Sequence, residues 1–174
     1  MAPRREFRLP GYATLSDVGM DGDYVSPLQI TSRSPTGPVL VAYHWLDASA
    51  ITEENRATLQ ALGYLPTIPF NRVLDRALAL CGLRRPDVYL TQAFHLLPQK
   101  RSERVPADKV AASFGAITMH EVQGRRVVAL GRDAAAACRR HGVKHIPADH
   151  PSARGRSYEE RAAALAAAIV YAIS

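Results

Sequence analysis

Apolar positions along the chain follow two rhythms. Short runs such as Pro38-Val39-Leu40-Val41-Ala42 and Arg126-Val127-Val128-Ala129-Leu130 are bounded by turn residues and carry no alternation. That is how strands buried on both faces read. Asp87-Val88-Tyr89-Leu90-Thr91-Gln92 and Val143 to Ile146 have the same character, so four strands are predicted. Between them the apolar spacing widens to three and four. Val73, Leu74, Ala77, Leu78 and Cys81 form one helical stripe within 71–80, and Val110, Ala111, Phe114 and Ile117 another within 107–121. Thr52 is placed to cap a helix that Gly63 ends, and further helices are predicted over 133–141 and 158–172. Strands alternate with helices four times. The expected architecture is α/β: a single three-layer α/β/α domain around a central four-stranded, mostly parallel sheet. Residues 1–37 carry Pro, Gly, Asp and Ser at short intervals and read as an irregular N-terminal arm, with the domain proper over 38–174.

In such sheets ligands bind beyond the carboxyl ends of the strands. Those ends fall at Tyr43–Asp47, Gln92–Leu97, Gly131–Arg132 and Asp149–Arg154. The first, second and fourth are rich in polar and aromatic residues, which marks them as the candidate site. The chain has no Walker loop, GxGxxG, GxSxG or HExxH motif, which removes the common nucleotide, lipase and zinc-protease readings.

Composition narrows the partners. The net charge is +6, and nineteen of the 22 basic residues are arginine. A basic balance favours polyanions, because counterion release drives binding to phosphate. No apolar run reaches the length of a membrane span and no signal core follows the basic N-terminus, so a cytoplasmic protein is expected. Cys81 and Cys138 both sit in helical apolar patterns and read as reduced core thiols. Neither they nor the histidines show metal-ligand spacing, and no metal or cofactor is expected.

One stretch is more specific. Pro69-Phe70-Asn71, Leu74-Asp75-Arg76-Ala77-Leu78 and Gly82-Leu83-Arg84-Arg85-Pro86-Asp87-Val88-Tyr89-Leu90-Thr91-Gln92 follow in order. Val127 to Ala135 and the tripeptide His150-Pro151-Ser152 come later. Together they resemble the uracil-DNA glycosylase superfamily over roughly residues 38–172. The resemblance implies an enzyme of base excision repair that flips a deaminated or modified base out of DNA, single- or double-stranded, and hydrolyses its glycosidic bond. Phe70 would stack on the base, and Gln92, where the family usually has Asn, would read its edge. His150 would donate to the base oxygen that gathers charge. Ser152 and Arg154 would touch the DNA backbone, and the basic loop with Lys100, Arg101 and Arg104 borders the same rim. Tyr43 is a further candidate for the base pocket; His95 either lines that pocket or, as the more common case, is a hydrogen-bonded buried histidine. Trp45 reads equally as a core plug or a stacking wall.

The first strand end departs from the family pattern. Relatives carry Gly, a variable residue, then Asp, Asn or Ala, followed by Pro. This chain has Ala42-Tyr43-His44-Trp45-Leu46-Asp47. His44 falls on the water-positioning place by count, and Asp47 follows three residues on; either could hold a water or stabilise a cationic sugar. Two functions therefore stand side by side. One is a monofunctional glycosylase acting on uracil or a related pyrimidine, since no lysine stands at a strand end for a Schiff base. The other is a glycosylase-fold protein, weak or inactive in catalysis, that binds DNA or senses bases.

Overall fold

The structure, a computed structural model, describes residues 2–174. Its centre is a four-stranded, all-parallel sheet in the order β2-β1-β3-β4. The strands are β1 (Val39–His44), β2 (Tyr89–Phe94), β3 (Val127–Leu130) and β4 (Ile146–Ala148). A short helix α1 (Ala2–Glu6) precedes them. Helices α2 (Glu53–Leu62) and α3 (Pro69–Leu80) connect β1 to β2. Between β2 and β3, α4 (Ala107–Ser113) runs through a π-helical segment (Phe114–Thr118) into α5 (Met119–Val122). Helix α6 (Arg132–Arg140) joins β3 to β4, and α7 (Tyr158–Ile173) closes the chain.

Alternation along the strands makes the layers. Val39, Val41, Val127 and Ala129 point to one face, against Phe114, Ala134 and Cys138. Leu40, Leu90, Val128 and Leu130 point to the other, against Leu74 and Leu78 of α3 and Leu165 and Ile169 of α7. Each fully buried Leu on that face contributes about 1.5–3 kcal/mol. On the first face the Cys138 thiol is buried and its pKa is pushed up to about 12, as desolvation demands.

The helix ends follow from sequence chemistry. Thr52 caps α2 by accepting from the Asn55 N–H at 3.2 Å. Gly63 ends it with φ +79°, and a Cβ there would meet the Pro27 carbonyl oxygen at 1.9 Å. Ser157 and Glu160 form a reciprocal capping box at the start of α7.

Three strands are shifted from their expected places, each for a local reason. β1 runs on through Tyr43 and His44, so these are strand residues rather than loop. β2 starts at Tyr89, because Asp87 is spent on a turn, accepting from the Arg84 N–H at 2.7 Å. Gln92 is therefore inside the strand, in register with Ala42, rather than at its end. β4 starts at Ile146 instead of Val143. Val143 belongs to the cap of α6: its N–H bonds the Cys138 carbonyl at 2.9 Å and the Gly142 N–H bonds Arg139 at 3.1 Å. That is the Schellman arrangement with its accompanying apolar contact.

The N-terminal arm lies on the body of the protein. Leu15 and Met20 are buried, Leu28 enters the core beside α3, and single bridges pair Ala13 with Leu97 and Arg33 with Tyr89. No helix among the described residues is long and apolar enough to cross a membrane.

Candidate active site

A cavity of about 190 Å³ opens at the carboxyl end of the sheet. The end of β1 gives it His44, Trp45 and Asp47; the start of α3 gives Phe70 and Asn71; the loop after β4 gives His150 and Ser152. Arg101 reaches it from the loop after β2, and Leu28, Tyr64, Leu65 and Ile68 add apolar wall.

Phe70 is held by the way α3 begins. Ile68 is extended and Pro69 occupies the first helical turn, where its missing N–H costs nothing. Next to it the buried Asn71 donates to the Leu65 carbonyl at 3.0 Å and accepts from Arg85 at 3.0 Å. Arg85 is itself buried, paired with Asp75 at 2.6 Å and stacked 3.4 Å over the Tyr64 ring. A guanidinium with a carboxylate, an amide and a ring around it has little freedom, so the floor beneath Phe70 is stiff.

His150 depends on a glycine. Gly131 has φ +94°, and a Cβ there would sit 3.1 Å from the His150 Cβ. The imidazole packs 5.4 Å from Phe70, centroid to centroid, at 52°. The Ser152 backbone N–H donates to His150 Nδ1 at 3.1 Å. Nδ1 is thereby an acceptor, so the neutral ring carries its proton on Nε2. Burial pushes the His150 pKa down; Asp133 opposes this and Arg101 adds to it. The site thus holds a neutral imidazole with an N–H donor beside an aromatic face.

His44 faces it with a different balance. Its Nδ1 is buried and has no partner in the described residues. Burial lowers its pKa, Asp47 works against that, and His150 and Arg101 reinforce it. Asp47 is 5% exposed and accepts from the Ser49 hydroxyl. The loop is fastened by Ala48 N–H to the Pro98 carbonyl at 2.8 Å and by the Trp45 indole N–H to the Gly63 carbonyl at 2.8 Å. Trp45 is both a core plug and a wall: it packs into two core clusters and lines the cavity.

Two expected members are elsewhere, and the assignment is corrected for both. Gln92 lies on the cavity's face of the sheet, but it is 2% exposed and does not line the cavity. Its Oε1 accepts from the Ser26 hydroxyl at 2.6 Å, and Leu28, two residues along the arm, forms the wall. His95 is buried on the opposite face, its Nε2 3.1 Å from the Thr118 hydroxyl and its backbone N–H on Ser113 Oγ at 2.9 Å. Desolvation pushes its pKa down to about 3, so it is a neutral interior group. Arg104 is exposed beside a second cavity, which Tyr43 also lines, and Arg154 is exposed outside both.

Leu28 and Tyr64 line the site without having been singled out in the sequence; nothing local distinguishes them from ordinary core residues. Glu121 is another residue the sequence analysis passed over. Its carboxylate accepts from Gln29 at 2.8 Å, Tyr89 at 2.7 Å and Thr91 at 2.6 Å in the interior. A signal existed: Glu121 continues the stripe Phe114, Ile117 at helical spacing, so its side chain had to point inward.

Among the described residues no cluster of three His, Cys, Asp or Glu side chains is arranged to hold a metal ion. The profile of the Uracil DNA glycosylase superfamily matches residues 53–172, and the chain belongs to that superfamily. The matched span contains Phe70, Gln92 and His150 and begins after His44 and Asp47. A search of curated proteins found no match to the chain.

Proposed function

We propose that the protein is a monofunctional DNA glycosylase that hydrolyses the N-glycosidic bond of uracil or a related modified pyrimidine. The observation that carries this reading is the pair of Phe70 and a neutral His150 whose proton is on Nε2. An extruded base stacks on Phe70. As the bond from base nitrogen to sugar carbon breaks, its electron pair passes into the ring and onto a carbonyl oxygen of the base. The His150 Nε2–H donates to that oxygen, a contact that strengthens as charge develops. Water adds to the sugar carbon, and His44 or Asp47 takes up its proton. His44 suits this role because its lowered pKa keeps it unprotonated at neutral pH and its side chain lines the cavity. Base release should therefore hold through neutral pH and fall only below the ordinary imidazole range.

The test is release of base from single- and double-stranded oligonucleotides that carry uracil or other modified pyrimidines, read as abasic sites. His44→Ala and Asp47→Ala are assayed separately, and at least one is expected to slow release by about 10²-fold. Unchanged rates in both would remove these residues from the chemistry.

The second reading, a protein that binds DNA without cleaving, draws on Gln92. With its amide held by Ser26, the cavity lacks the side chain expected to read the base edge. Tight, salt-sensitive binding with no abasic product would favour it.

A further inference from the structure

A second cavity, of about 390 Å³, opens beside the first between α4 and α6. Tyr43 lines both. Successive strand residues point to opposite faces. His44 therefore walls the first cavity, while the Tyr43 ring packs toward the core under α4 and α6. The two ring centroids are 5.0 Å apart, so the partition between the cavities is one pair of side chains thick. The Tyr43 hydroxyl donates to the Val105 carbonyl at 3.3 Å, which fixes the ring in place.

The lining of the second cavity has a definite chemistry. Val105, Val110 and Ala137 give apolar walls. Arg104, Arg140 and Asp133 stand exposed around it, and none of the three takes part in an ion pair among the described residues. An aromatic wall with apolar flanks suits a nucleobase, and free guanidinium groups at the mouth suit its phosphates. Asp133 offers an acceptor for an exocyclic amino group.

We propose that this second cavity holds the nucleobase next to the extruded one, and that the substrate is accordingly an unpaired strand. The proposal rests on the reading that the first cavity takes an extruded base. A base inside a duplex is stacked and paired; to enter a cavity it must leave both interactions. Withdrawing two neighbours from a duplex costs roughly twice what one costs, whereas a single strand has no pairing to give up.

The experiment measures binding of single-stranded oligonucleotides that carry one deoxyuridine. Its 5′ or 3′ neighbour is either thymine or an abasic spacer. The spacer on one side is expected to weaken binding about tenfold, and the matching duplex is expected to bind more weakly than the single strand. Ala136→Phe fills the cavity from an exposed wall position and should erase the difference between thymine and spacer. The double variant Arg104→Ala/Arg140→Ala should weaken the thymine oligonucleotide and flatten its salt dependence; it carries the test if A136F does not fold, as checked by thermal unfolding. Equal binding of thymine and spacer oligonucleotides on both sides overturns the proposal, as does a duplex that binds as tightly as the single strand. Base release is followed on the same oligonucleotides. Release without any neighbour effect sinks this inference and leaves the glycosylase reading standing; a neighbour effect without release does the reverse.

Discussion

β1 and β2 are adjacent parallel strands of six residues each, and both bring polar side chains to the carboxyl half of the sheet. Around β1 these residues line the cavity. His44 Nδ1 has no partner, His150 offers a proton, and Phe70 stands beside them with nothing stacked on its free side but the cavity. Around β2 the polar groups face one another. Gln92 is held by Ser26, its carbonyl by Thr118 at 2.8 Å, Thr118 by His95, and Thr91 by Glu121. The same residue types thus do opposite work on neighbouring strands. A buried polar group with partners stiffens the scaffold. One that keeps an open valence toward a cavity is available to a ligand. Access to the cavity, not residue identity, separates the two regions: His95 Nδ1 also lacks a partner among the described residues, but it is enclosed away from the cavity that His44 lines.

That contrast can be broken most forcefully at His150. Replacing it with Ala should lower base release by about 10²–10³-fold, because the donor to the developing oxyanion is lost. Thermal stability should move little, since the ring spans a cavity wall. A variant that unfolds early but retains its rate would place His150 with the scaffold instead.

At Glu121 the opposite outcome is expected. Glu121→Ala leaves Gln29, Tyr89 and Thr91 without their acceptor and should cost about 2–4 kcal/mol in urea unfolding. Burial raises the Glu121 pKa against the pull of its three donors. The fold therefore favours the protonated carboxyl. Its contribution is full below the ordinary carboxylate range and is lost as pH rises through the raised value. Glu121→Gln should flatten that part of the stability curve. His95 acts on the acid side: its depressed pKa means that stability is lost as pH falls below the ordinary imidazole value toward about 3.

The smallest effect is expected at Ser26. Ser26→Ala removes one donor to Gln92 and should cost about 1 kcal/mol in thermal unfolding, with base preference unchanged. A change of base preference would show that the freed amide can reach the cavity, and would move Gln92 from the scaffold region into the site.

Much of this arrangement was legible in the chain. The runs at Val39, Tyr89 and Val127 read as strands because both faces of a parallel sheet must be apolar. Thr52 and Gly63 marked helix ends because caps are local chemistry. Phe70 and His150 were placed in one site through ordered resemblance across most of the sequence. Val143 misled because a capped helix end and a strand start both want an apolar residue after glycine. Gln92 misled because a shift of two residues in β2, caused by the Arg84–Asp87 turn, moves the strand end to Phe94.

By itself, then, the sequence determined the alternation of elements, their capping, and the types of side chain near each strand end. These depend on neighbours within a few residues, where period and local hydrogen bonding decide. Tertiary structure alone decided which polar groups are quenched and which stay open. Ser26 reaches Gln92 across 66 positions, and Gln29 reaches Glu121 across 92. No local pattern encodes such meetings; they arise when the N-terminal arm is laid across the sheet and water is excluded between them.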